Sequence, residues 1–404
     1  MSILDFLQGG TPKDRFAQKV IRRAKARGWA GPAPDYVRQP YSLRFSNEHT
    51  LFLDNCFAAW NKSPPADKDR QIDILLGILF EPRHGDRFDT AAPCLLPAVR
   101  NRSHLTNAWL TPGLDKSRGV YDGAMQPMGE DLVVVAVIDT EMTIGYVTQG
   151  KLTDWGMALE PVLATALTNL RAISPCKFVR EPQGFWISNY GDHHDTARLL
   201  LPHLFEQLDL RGEPVAIPLD RAALLVAGAD DTAALNAMAA FAEEKYPTLD
   251  RPIACAPMVL RQGHWTRFET GAPDLAALNR LGVIQSCRDY AEQKAQLEAR
   301  HKAEGVDLFV ATLDTIGRDG WLETWTTWAV GVDTLLPRAD VVVFARRVDE
   351  RFEQRPRCWA EVETAFGPFT AEPDLYPPRY RLRDWPDGAW ERAEPLRAPA
   401  WAKA

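Results

Sequence analysis

The chain has 404 residues, 46% of them apolar and 25% charged, and a formal net charge of −7. That length exceeds one average domain and the composition is that of a folded, soluble chain, which excludes a disordered polymer and predicts two domains or one domain with a large extension. The mildly acidic field argues against general nucleic-acid binding, so no nucleic-acid partner is expected. In chain order, Met1 to Gly10 carries Asp5 inside a short apolar run and has no basic start, so it does not read as a signal peptide. Residues 13 to 27 place Phe16, Ala17, Val20 and Ala24 on one helical face with cations elsewhere, and Gly28 ends the helix. Ser42 to Leu53 reads as a hairpin turning at Ser46, Asn47 and Glu48, ahead of a helix near 67 to 80. Asp131 to Ile138 is a buried strand pairing with Thr143 to Val147, and its apolar run is far short of the roughly 20 residues that cross a bilayer.

Helices follow at about 160 to 172, where Leu163, Ala166, Leu167 and Leu170 share a face, and at about 196 to 209, with a short strand at Phe185 to Ile187 between them. Val215 to Ile217 and Ala222 to Val226 form a strand pair, and Asp230 or Asp231 caps a helix bearing Leu235, Met238, Ala239 and Ala242. The strands come as hairpin pairs among the helices, which predicts an α+β fold of mixed, largely antiparallel sheet segments, with a C-terminal β-rich extension. A turn signal at Gly271 to Asp274 suggests a boundary: 1–270 as the α+β domain, then 271–370 as a β-rich region with one long helix at Ser286 to Lys302. Three strands are expected there, at Asp307 to Ile316, Leu322 to Val330 and Asp340 to Arg346. The Pro-rich tail, 371–404, should dock on the body, because Tyr376, Tyr380, Trp385 and Trp390 are too large and apolar to float.

Four segments share a further property: Ala92-Pro-Cys-Leu-Leu-Pro-Ala-Val-Arg100, Ala166-Leu-Thr-Asn-Leu170, Asp192-His-His-Asp-Thr-Ala-Arg198 and Val215-Ala-Ile-Pro218. In this order and spacing, from about residue 15 to 269, they resemble the YtpQ-like bacterial family of unknown function. The resemblance implies a shared fold and no reaction, cofactor or ligand. It carries over Pro97, Arg100, Asp195 and Arg198 as candidate positions. The chain departs from that pattern in its C-terminal third and at Pro202, which should kink the helix it interrupts.

The densest polar cluster is Asn189 to Asp195, where His193 and His194 beside Asp192 and Asp195 could bind a divalent metal or relay protons. The structural alternative is that Asp195 caps the following helix and the histidines lie on a solvated turn. Arg100 could present its fork to a carboxylate or phosphate, or pair internally with Asp139 or Asp220. The six cysteines stand singly with no CxxC pair, which reads as free thiols in a reducing, cytoplasmic compartment. No GxSxG elbow, Gly-rich phosphate loop or HExxH pattern occurs, and no cofactor is expected. These readings predict a non-catalytic cytoplasmic module that interacts with a protein partner or regulates one. The competing expectation is a metal-dependent or acid–base hydrolase built from Arg100, Asp192, His193, His194, Asp195 and Arg198. Oligomeric state is left open.

Overall fold

The structure, a computed structural model, describes residues 11–38, 41–46, 50–80, 85–111, 122–140, 144–249, 252–318 and 321–403. Helices and several mostly antiparallel sheets make it an α+β fold, divided into two compact units: Met1–Ala91 with Ile138–Gly145, and Ala92–Val137 with Tyr146–Ala404.

In the first unit a capping box opens the helix Pro12–Ala26: the Asp14 N–H donates to Thr11 Oγ1 at 3.2 Å and the Thr11 N–H to Asp14 Oδ2 at 2.9 Å. Asp14 is buried and also accepts from Tyr36 Oη at 2.7 Å and Arg38 Nη2 at 3.1 Å. Burial alone would raise its carboxyl, but the hydrogen bonds from Tyr36, Thr11 and Arg38 together hold it at about 2. Phe16, Val20 and Ala24 pack into a core with Leu43, Leu51, Ile72 and Leu76. The helix cations are engaged by carboxylates of the same unit, Arg23 bidentate to Asp73 at 2.7 and 2.6 Å and Lys13 to Asp54 at 2.6 Å. The expected hairpin is present as Tyr41–Arg44 against Thr50–Phe52, extended by Asp35–Arg38 into a three-stranded antiparallel sheet. Asn47 and Glu48 of its turn lie outside the described residues.

The centre of the second unit is a six-stranded antiparallel sheet in the order His264–Arg267, Met258–Arg261, Pro214–Asp220, Ala223–Gly228, Trp186–Ser188, Phe178–Arg180. Alternation along its strands sends Val215, Ile217, Leu225 and Ala227 to one face. There they meet Leu235, Met238 and Ala242 of the helix Thr232–Lys245, whose N-cap Asp231 accepts from the Ala234 N–H at 3.1 Å. Ala216, Leu224 and Val226 face the other way, onto Leu132, Leu199, Phe205 and Trp265. Every residue from Leu132 to Val137 is buried, and the Val147 N–H donates to Ala136 O at 2.9 Å beside it.

Three expectations need correction. The helix expected at 196–209 is instead two 3-10 turns, Asp195–Leu200 and Pro202–Gln207, parted by Leu201 at φ −121°, ψ 73°. Pro202 has no N–H to continue a helix and its ring pushes the preceding residue into extended backbone. The strand expected over 307–316 is two strands in different sheets, Phe309–Val310 and Asp314–Arg318. Finally, the long helix starts earlier than expected and spans Ala276–Glu304, and its Leu278 and Leu281 belong to the same core as Val215 and Ile217.

Beyond that helix lie a four-stranded sheet, Asp314–Arg318, Trp321–Ala329, Val341–Val348 and Arg351–Cys358, and a three-stranded sheet, Phe309–Val310, Thr334–Pro337 and Arg379–Leu382. Trp328 is core while Trp325, on the opposite face of the same strand, is half-buried. The C-terminal segment is held in this part of the unit. Arg379–Leu382 pairs antiparallel with Thr334–Pro337, and Tyr380, Trp385 and Trp390 pack around Trp328, Phe344 and Trp359. Arg379 is 0% exposed and donates to Gln293 Oε1 at 2.6 Å and to the carbonyls of Ala311, Leu335 and Tyr290 at 2.7, 3.1 and 3.1 Å. Burial lowers its guanidinium to about 10, which leaves it a cation at neutral pH. Among the described residues no helix is long and apolar enough to cross a membrane.

Candidate functional site

The His–Asp cluster is a structural lock. Arg198 is 0% exposed and its Nη1 and Nη2 donate to Asp192 Oδ1 and Oδ2 at 2.8 and 2.6 Å, while its Nε donates to Ser174 Oγ at 3.0 Å. Its guanidinium lies 3.9 Å from the centre of the Tyr190 ring. Burial would raise the Asp192 carboxyl, but the bonds from Arg198 and the His194 N–H hold it below its ordinary value. Asp195 is fully buried and does not cap the turn it opens; its Oδ1 instead accepts from the Tyr190 N–H at 3.2 Å. The two histidines diverge, as adjacent residues do on a turn: His193 is exposed at φ 61° and His194 is buried. Arg100 donates from Nε to the Tyr146 hydroxyl at 3.1 Å and from Nη1 to its own neighbour's carbonyl, Val99 O, at 2.8 Å. Asp220 caps the Ala222 N–H at 2.6 Å. Among the described residues no group of three or more His, Cys, Asp or Glu side chains is arranged to hold a metal ion.

Among the described residues of the second unit are two sizeable clefts, and none of Arg100, Asp192, His193, His194, Asp195 and Arg198 lines either. Pro97 lines the smaller, a largely apolar cleft of about 470 Å³ walled by Leu163, Leu167, Leu199 and Trp265. The larger, about 970 Å³, draws its walls from parts of the chain far apart in sequence, among them Asp131, Arg267, Asp289, Tyr290, Arg338 and Tyr376.

This larger cleft is organised by Asp131, which sits immediately before the buried strand Leu132–Asp139 and therefore has a fixed backbone. Its carbonyl accepts from the Arg102 N–H at 2.8 Å. One carboxylate oxygen, Oδ2, is bonded by Arg267 Nη2, and the other, Oδ1, accepts from the Tyr376 hydroxyl at 2.9 Å. Burial would lower the Arg267 guanidinium, but the charge and hydrogen bond of Asp131, with Glu130 behind, raise it above its ordinary value. Burial and then the Asp131 charge raise the Tyr376 phenol, so it remains a neutral donor. The Arg102 guanidinium covers the Tyr376 ring at 4.2 Å.

Asp289 comes from the middle of the helix Ala276–Glu304 and is 5% exposed. The Asn101 amide reaches its two oxygens at 3.3 and 3.4 Å. Burial, together with the charges of Asp131 and Glu292, raises this carboxyl to about 7 against the opposing effects of Asn101 and Arg288. A buried carboxyl raised toward neutrality in a cleft marks a candidate functional site. Next to it, the Tyr290 hydroxyl donates to Pro378 O at 2.8 Å and accepts from the Arg338 N–H at 3.1 Å.

Sequence reasoning missed this site, although one signal was there. Leu281, Gln285, Asp289, Gln293 and Leu297 recur at intervals of four, so three polar side chains interrupt a buried apolar stripe. The two glutamines satisfy buried backbone groups. Gln285 Oε1 accepts from the N–H groups of Cys255 and Ala256 at 2.8 and 2.9 Å, and Gln293 Nε2 donates to Pro377 O at 2.8 Å. The chain matches no family model, no curated protein and no solved structure.

Proposed function

We propose that this chain is a non-catalytic regulatory module of the bacterial cytoplasm that holds a small polar ligand in the cleft around Asp131, Arg267, Asp289 and Tyr376. The observation that carries the reading is the convergence of a buried, weakly partnered carboxyl, Asp289, with an ordered Asp131–Arg267–Tyr376 array in one cavity of about 970 Å³. That volume is of the size that encloses metabolite-sized ligands. Asp131 is bonded through both carboxylate oxygens, to Arg267 Nη2 and the Tyr376 hydroxyl, while the buried Arg267 Nε is left without a hydrogen bond, an arrangement that suits a polar receptor wall better than a nucleophile or a metal cradle. The six free cysteines support a reducing compartment. Burial raises the thiols of Cys56 and Cys287 to about 11, so they are poor nucleophiles at neutral pH.

Hydrogen exchange of the full chain, with and without a mixture of small polar metabolites, tests this. Protection should appear at 256–271, 286–290 and at the Tyr376 amide. Protection confined to the segments around Pro97 and Leu199, or none at all, would overturn the reading.

A further inference from the structure

Resting on that reading of the cleft, we infer that its ligand is an organic cation, an amine or guanidine, whose charged head is received by Asp289. The charge balance of the walls points this way. Six carboxylates line the cleft, Glu130, Asp131, Glu269, Asp289, Glu323 and Asp340, against three guanidiniums, Arg267, Arg338 and Arg397. Arg267 is bonded to Asp131 and also pairs with Glu130 at 3.7 Å, its buried Nε making no hydrogen bond, and Arg338 is turned to Glu363 at 2.9 Å and to the Trp359 ring at 4.7 Å, so neither guanidinium is paired with Glu269, Asp289, Glu323 or Asp340.

Asp289 supplies an independent observation. It is 5% exposed, lines the cleft and receives only two long hydrogen bonds, both from the single Asn101 amide, far fewer than an ionised carboxylate can accept. An ammonium or guanidinium brings the donors and the charge that such a carboxylate lacks, and charge-assisted bonds of this kind are the strong ones. Phe268, Tyr290, Trp359 and Tyr376 also line the cleft and supply apolar wall for the ligand's body, while the rings of Tyr290, Trp359 and Tyr376 already carry the guanidiniums of Arg379, Arg338 and Arg102. An anionic ligand would instead meet the surplus of carboxylates, with Arg397 at the mouth as its counter-charge.

The charge of Asp289 is set by its surroundings on every side: Asp131 from the strand, Arg288 and Glu292 from its own helix, and Cys255 and Tyr246 from the sheet side. Binding of a cation therefore expels the proton that Asp289 holds when the cleft is empty, and each bound amine releases up to one proton near neutral pH.

Titration calorimetry of the full chain with putrescine, agmatine and choline, and with acetate and inorganic phosphate as anionic probes, decides the class. The expected result is saturable binding of at least one cation, with a heat that depends on the ionisation enthalpy of the buffer. Asp289→Asn should weaken it about tenfold or more, and the surface variant Glu269→Gln, which leaves the buried cleft wall intact, more modestly. Binding of acetate or phosphate in place of the amines overturns the cation assignment while leaving the cleft as the site. Amine binding that Asp289→Asn and Glu269→Gln both leave unchanged places it elsewhere and overturns the inference. No binding by any of the three cations overturns it as well, and the exchange experiment above then tells whether the cleft is a ligand site at all.

Discussion

The Tyr376 hydroxyl donates to Asp131 Oδ1 at 2.9 Å across 245 positions of sequence, so the C-terminal segment completes a wall that begins before the buried strand Leu132–Asp139. Tyr376→Phe removes a bond to a charged acceptor and leaves one oxygen of a part-buried carboxylate without it. The expected cost is about 1.5–3 kcal/mol, read as a fall in the urea midpoint at unchanged m. A loss below about 0.5 kcal/mol would mean that water replaces the phenol and that the wall is less ordered than its geometry implies.

Arg379 is the second tie of that segment, and its carbonyl partners carry no formal charge. Arg379→Ala removes the donor shared by Gln293 Oε1 and the carbonyls of Ala311, Leu335 and Tyr290, of which Leu335 O keeps the Ala311 N–H, and should destabilise by about 3 kcal/mol. Limited trypsin digestion gives a local reading. In the unsubstituted chain Arg379–Leu382 is a paired strand and should resist cleavage at Arg381 and Arg383, whereas in the variant the segment beyond 371 is released first.

Asp289 predicts a pH dependence whose sign runs against the usual acid unfolding. Its carboxyl is raised to about 7 in the folded protein, above the ordinary value of 3.8, so between these limits the folded state binds the proton that the unfolded state has lost. Its contribution to stability is therefore full below about pH 4 and declines as pH rises to about 7. Asp289→Asn removes the titration, so the variant should gain stability relative to the parent chain from pH 4 to 7 and level off above it. Paired urea melts across that range check this, and a constant difference would refute it. Asp14, held at about 2, contributes the opposite slope: its stabilisation is full above about pH 4 and is lost as pH falls toward 2.

In the Asp192–Asp195 turn, Asp192→Ala leaves the fully buried Arg198 guanidinium without its carboxylate and should cost about 3–5 kcal/mol. His193→Gly should stay within about 0.5 kcal/mol, because His193 is exposed and its φ of 61° suits glycine. Equal losses at both positions, measured by thermal melting, would contradict the lock.

A fragment of residues 1–270 should fail to melt cooperatively. It lacks Leu275, Leu278 and Leu281, which close the core formed by Val215, Ile217, Leu235 and Met238. A sharp calorimetric transition in that fragment would support an independent domain ending near 271.

The sequence by itself determined the elements whose pattern is local: the amphipathic helix at 13–27 with its Gly28 stop, the apolar run at 132–138, the strand pair around Val215 to Ile217 and Ala222 to Val226, and a helix cap at Asp230 or Asp231, which the structure resolves to Asp231. Periodicity and capping are short-range chemistry and can be read from one segment at a time. It also held the signal of Gln285, Asp289 and Gln293 on a buried stripe, but a polar residue at such a position has meaning only once its partner is known. Those partners, Cys255, Asn101, Pro377 and Arg379, are set by chain pairings that no local pattern encodes. The cleft was decided by tertiary structure alone: a carboxyl becomes unusual through the water it loses and the charges it meets, and for Asp289 both come from elsewhere in the chain.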